Sequence, residues 1–203
     1  YRSKSQVHLL DQVAAAFGRF DVRYPRDGMR LGLYLEFFGE PQDARRQELL
    51  AVFDAMHDLG EVEVGLAFRL PTHPKGRSPE EALELLERSG VGVATEWLKR
   101  VEPDEPDLEG ECWTFSQRVE LSAECVATLA EIVLLGDFGT WNGVACEVFL
   151  WARWRHVLVR FWDDRGADVL FADAASLRLH RPAFARFEVL EGTAKLFPDT
   201  PTR

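Results

Sequence analysis

His156-Val-Leu-Val-Arg-Phe-Trp162, then Asp163-Asp164-Arg165-Gly166, then Ala167-Asp168-Val169-Leu170-Phe171 is the stretch whose reading decides the fold. Two runs rich in β-branched and aromatic residues flank a cluster of turn formers, which is the pattern of a β-hairpin, with Gly166 expected at a positive φ. Upstream, Ala145 to Trp151 reads as another strand, so three C-terminal strands are expected to form an antiparallel meander. Downstream, a helical piece around Asp173 to Phe187 is expected to pack across it, and Phe197 to Arg203 reads as a frayed tail.

Toward the N-terminus the period changes. Val7, Leu10, Val13, Ala14 and Phe17 recur at helical spacing and Gly18 stands where a helix stops. Leu31, Leu33, Leu35 and Phe37 alternate with smaller or polar residues, as in a strand with one buried face. Pro41 to about Leu59 reads as a helix ended by Gly60, and Glu61 to Leu70 as a strand, so residues 30–70 are expected to form a β-α-β unit. Ser78-Pro79-Glu80-Glu81 is a helix start, with an N-cap serine, proline at the first position and acids in the first turn. Ala94 to Val101 reads as a short helix, Trp113 to Leu121 as a strand, and Ser122-Ala123-Glu124 as the start of a helix ending near Leu135. Together these predict an α+β fold, with a mixed sheet built from the N-terminal β-α-β unit and the C-terminal antiparallel meander, and helices packed on it.

The 203 residues are 46% hydrophobic, enough for one full core, and are read as a single domain over 1–203. The longest apolar runs, such as Val133-Leu134-Leu135, fall far short of the roughly 20 residues needed to cross a bilayer. Tyr1-Arg2-Ser3-Lys4-Ser5 leads into an amphipathic segment and shows no secretion signal. Cys112, Cys125 and Cys146 are odd in number and irregularly spaced, without a CxxC pair, so reduced thiols in a cytoplasmic protein are expected. A net charge of -10 argues against a nucleic-acid binder, which concentrates Lys and Arg to displace counterions, and suits solubility or a basic partner.

Residues 132–187 carry a resemblance. Gly136-Asp137-Phe138-Gly139, then Val157 to Trp162 running into Asp163-Asp164-Arg165-Gly166-Ala167-Asp168, then Phe184-Ala185-Arg186-Phe187, resembles the bacterial DUF3885 family. That family is marked by an aromatic-Asp-Asp-Arg-Gly-x-Asp segment at the end of a strand. Here Trp162 stands where tyrosine is common, and the last segment lacks the family's tryptophan and acidic ending. The resemblance implies a domain type and no activity.

The chemistry that the residues offer is sparse. No nucleophile elbow, phosphate loop, dinucleotide fingerprint or His-x-x-x-His pair is present, and no cofactor or resident metal is expected. His73 stands alone in a proline-rich basic loop. Asp163, Asp164, Arg165 and Asp168 form the one polar cluster with a binding question attached. Its acids suit a turn, and the arginine suits bidentate pairing, but two acids could also hold a hard cation. Trp141, Trp151, Trp154 and Trp162 fall within 22 positions, with Arg153 and Arg155 among them, a composition common to cores and to interface hot spots. Glu102 to Glu111 holds six acids and no base, with Asp104, Glu105 and Asp107 at its centre, and reads as an exposed loop able to steer a basic partner. The expected function is a non-enzymatic binding protein, of the type that confers immunity by covering a partner toxin. The alternatives are a small-ligand or metal-binding enzyme using the Asp-Asp-Arg-Gly turn, and a structural homodimer module.

Overall fold

The hairpin sits inside a seven-stranded sheet of order β1-β7-β6-β5-β2-β4-β3. A computed structural model describes residues 7–18, 31–37, 42–70, 76–92, 96–103, 110–135, 140–163 and 165–201. The strands are β1 (Gly32–Glu36), β2 (Val62–Leu70), β3 (Leu98–Pro103), β4 (Glu111–Val119), β5 (Glu147–Ala152), β6 (Val157–Asp163) and β7 (Gly166–Phe171). The helices are α1 (Leu9–Phe17), α2 (Gln42–His57), α3 (Pro79–Arg88), α4 (Ala123–Leu135), α5 (Ala174–Phe184) and α6 (Leu190–Leu196), which makes the fold α+β.

Period-2 alternation divides the sheet into two faces. Val64, Leu66 and Phe68 of β2, Val148 and Leu150 of β5, Val159 and Phe161 of β6 and Val169 of β7 bury one face under α2, α4 and α5. The stripe Leu49, Val52, Phe53 and Met56 aims α2 at this core, where Phe53 stacks on Phe161 with ring centroids 5.0 Å apart. Helix α4 is apolar nearly all round because it lies between the sheet and α2, to which an Arg46–Glu131 ion pair of 2.7 Å also ties it. Ala67, Cys112, Phe149, Trp151, Leu158 and Leu170 line the second face, which is covered by Leu9 and Val13 of α1 and by Phe197. β2 is central and covered on both sides, hence its almost continuous burial.

The meander β5-β6-β7 and the helices starting at Ser78 and Ser122 follow the sequence pattern; Ser78 and Glu81 complete a reciprocal capping box. The N-terminal unit does not. β1 and β2 flank α2 and run in the same direction, but β7, β6 and β5 lie between them and every pairing in the sheet is antiparallel. Side-chain alternation tells which faces a strand buries and nothing about which strand lies beside it, so the sheet is antiparallel throughout rather than mixed.

Three local expectations are corrected. Leu98 to Val101, read as helical, lies in edge strand β3, where Lys99 sits 3.2 Å from the Trp113 ring centroid and Arg100 pairs with Asp11 at 2.7 Å. Its Lys, Arg, Glu and terminal Pro blunt the edge against further pairing. The buried stripe of α1 is Leu9, Gln12 and Val13, with Val7 exposed. The segment read as a frayed tail is ordered to Pro201: the Thr200 hydroxyl accepts from Gly32 N at 3.1 Å and donates to Gly32 O at 3.0 Å, and Phe197 is fully buried. With Thr193 and Val189 bonded to Tyr34, this segment covers the outer edge of β1.

Gly166 also differs from expectation. Its φ lies outside the left-handed region, and what matters is the missing Cβ, which would press into the Leu35 carbonyl oxygen and lie 2.5 Å from the Trp162 ring. Gly166→Ala is expected to destabilise the protein by about 1–3 kcal/mol in chemical denaturation, through overpacking at the β1–β7 pairing.

Candidate functional site

Of the Asp163, Asp164, Arg165 and Asp168 cluster, the side chains of Arg165 and Asp168 lie among the described residues. Asp168 is a β7 residue, fully buried on the second face, directly opposite Arg160 of β6 and Tyr34 of β1. It belongs to a row of charges crossing four strands: Arg69 to Glu147 at 2.8 Å, Glu147 to Arg160 at 3.3 Å, and Arg160 to Asp168 at 3.9 Å. Arg165 is exposed at the turn, where its carbonyl accepts from Phe37 N at 2.7 Å. Asp164 and the Asp163 side chain lie outside the described residues, as do Asp104, Glu105, Asp107 and His73.

The tryptophans separate on folding. Trp162 stacks on Tyr34 at 5.2 Å beside Gly166, and Trp141 is half-buried against the first core in a bridge to Val144. Trp151 is a core residue of the second face. Trp154 stands apart at 70% exposure, on the 3-10 turn Arg153–Arg155 that joins β5 to β6 at the end opposite the Asp163–Gly166 turn.

The surroundings of Trp154 make a built corner. Its indole N–H donates to Glu61 at 3.4 Å, Glu61 pairs with Arg118 at 3.1 Å, and the Arg153 guanidinium lies 5.0 Å from the indole ring. Arg155 donates to the Leu59 carbonyl at 3.3 Å, which ties the turn to the end of α2. Beside it opens a groove of about 540 Å3 lined by His57, Glu61, Arg118, Glu120 and Leu121. Sequence reasoning picked out Trp154 but not these neighbours, because Glu61 and Arg118 meet only through the β2–β4 register that sets Glu63 opposite Arg118.

Glu63, also missed, lies buried below this corner. Burial raises its carboxyl above the usual range, although Ser116 and Gln12 hydrogen-bond to it and Arg118 and Arg153 lie nearby. Among the described residues no group of three or more His, Cys, Asp or Glu is placed to hold a metal, and no helix is long and apolar enough to cross a membrane.

A family model for a domain of unknown function, DUF3885, matches residues 43–187. The chain belongs to the DUF3885 family. No curated protein and no solved structure matches the chain significantly. The DUF3885 match runs from α2 through α5 and includes six of the seven strands, the charged row and the Trp154 corner. Helix α1, strand β1 and helix α6 lie outside it, so the second-face residues of the DUF3885 segment are covered by Leu9, Val13 and Phe197 from its two flanks.

Proposed function

We propose that this chain is a non-enzymatic protein-binding module that docks its partner at the Trp154 corner, in the manner of an immunity protein covering a toxin. The observation that carries the reading is the 70% exposure of Trp154, a large apolar side chain in a fixed setting of arginines beside an open groove. Trp and Arg dominate interface energetics because they bury much surface at little entropic cost. A basic partner is favoured by the net charge of -10, by the exposed Glu80, Glu81, Glu84 and Glu87 of α3, and by Glu61 and Glu120 in the groove wall. A reducing, cytoplasmic setting fits cysteines outside disulfides, of which Cys125 has its thiol pushed up to about 11 by burial and is poorly reactive.

Trp154→Ala is expected to weaken partner binding by at least about 2 kcal/mol, roughly 30-fold, with a change in stability within about 0.5 kcal/mol. Capture from a lysate of the native host at low and high salt, with wild type and variant in parallel, measures it. A stoichiometric basic partner lost on Trp154→Ala supports the reading, and equal retention of every captured protein by the variant contradicts it.

A further inference from the structure

Helix α1 is seated on the second face by polar contacts at its first turn. His8 caps the helix: its Nδ1 accepts from Leu10 N at 3.2 Å, which leaves the ring proton on Nε2 to be donated to the Thr114 carbonyl at 3.1 Å. Leu9 N donates to Ser116 Oγ at 3.0 Å, Gln12 donates to buried Glu63, and Asp11 pairs with Arg100 at 2.7 Å. At the far end of the helix Phe17 rests on Trp151, ring centroids 5.5 Å apart. Trp151 leads within two residues into the turn that presents Trp154, and a narrow crevice joins Gln12, Glu63 and Trp151 to Arg118, Arg153 and Trp154.

We propose that α1 is a proton-operated latch on the docking corner: protonating His8 unseats the helix, and the turn carrying Trp154 loosens with it. This rests on the docking reading for its purpose, though not for its test. A proton on Nδ1 sets a donor against the Leu10 N–H and removes the cap. Among the described residues, the charges facing His8 are Asp11 on its own helix and Arg100 and Glu102 on β3; Arg100 opposes an imidazolium, whereas the two acids favour it. Burial outweighs the Thr114 hydrogen bond and the two acids, which favour the charged ring, and holds the imidazole below its usual value. With the folded value below the unfolded one, the unfolded chain binds the proton more readily, so the seating is complete above about pH 6.5 and weakens as pH falls below it. Glu63 acts in the opposite sense: its raised value favours the folded state on acidification, and a protonated carboxyl still accepts from Gln12. Of these two buried groups, His8 is the one whose protonation opposes the seating of α1.

The test is hydrogen exchange of the full chain at about pH 7.5 and about pH 5, corrected for intrinsic rates, on wild type and on His8→Asn, which keeps a capping oxygen and does not titrate. Exchange in residues 9–17 and 151–156 is expected to rise together severalfold at the lower pH in wild type and to stay level in the variant. No rise in wild type, the same rise in His8→Asn, or a rise in 9–17 without 151–156 overturns the proposal. An NMR titration of His8 in wild type needs no variant: a midpoint below 6.5 is expected and one at or above it overturns the proposal. None of these readouts involves the partner, so failure of the latch and failure of the docking site are told apart.

Discussion

Arg181→Ala is expected to cost about 3–5 kcal/mol of folding stability, because it strands a buried carboxylate. The Arg181 side chain is 10% exposed and donates through Nε and a terminal nitrogen to the two oxygens of Glu188, at 3.0 and 2.6 Å. Glu188 is 3% exposed at its side chain, and the remaining guanidinium nitrogen donates to the Pro201 carbonyl. One arginine thus joins α5, the segment bridged to Leu35 of β1, and the C-terminal turn. Taking the cation away leaves Glu188 desolvated and without that compensation, whereas the double replacement Arg181→Met with Glu188→Leu removes both charges and is expected to recover most of the loss. Urea denaturation of the three variants measures the effect. A loss under about 1 kcal/mol for Arg181→Ala, the range of an exposed pair, would contradict the buried clamp.

Phe197→Ala is expected to cost a similar amount, about 3–5 kcal/mol, from lost transfer energy and the cavity left behind. Its ring is fully buried in the second-face core and occupies the space that Gly32, lacking a side chain, leaves over β1; a Cβ there would come within 2.8 Å of the ring. Domain stabilities are about 5–15 kcal/mol, so either substitution removes a large share of the total. A frayed tail would tolerate Phe197→Ala within about 0.5 kcal/mol, and thermal melts distinguish the two outcomes directly.

What the sequence discloses of this fold is what depends on neighbours in the chain. The Ser78–Glu81 capping box, the Phe53 stripe of α2 and the alternation of β6 and β7 are local, and each is legible from residue type and spacing. What depends on long-range pairing is not. Leu98 to Val101 mimics a helix until β4 supplies its partner, and β1 finds β7 rather than β2 because alternation carries no information on neighbours. The C-terminal segment misleads for the same reason: Pro198-Asp-Thr-Pro201 has the composition of a loose end, and its order comes from Gly32 and Arg181, distant in sequence. At the site, Trp154 is visible as a tryptophan next to arginines, but so are Trp151 and Trp162, and only the strand ends decide which of them faces solvent. For Asp168 of the hairpin cluster the partner is likewise set by pairing: it lies two residues into β7, opposite Arg160 of β6.

The measurement that tests the docking account most directly is photo-crosslinking in cells of the native host from His57, in the groove wall next to Trp154, with Leu190 as the reference position. Leu190 is also exposed but begins α6 beside β1, at the other side of the sheet. The account predicts one abundant adduct with a basic protein from position 57, absent from position 190 and lost when Trp154→Ala is added. No adduct from position 57, or the same adducts from both positions irrespective of Trp154, would contradict it.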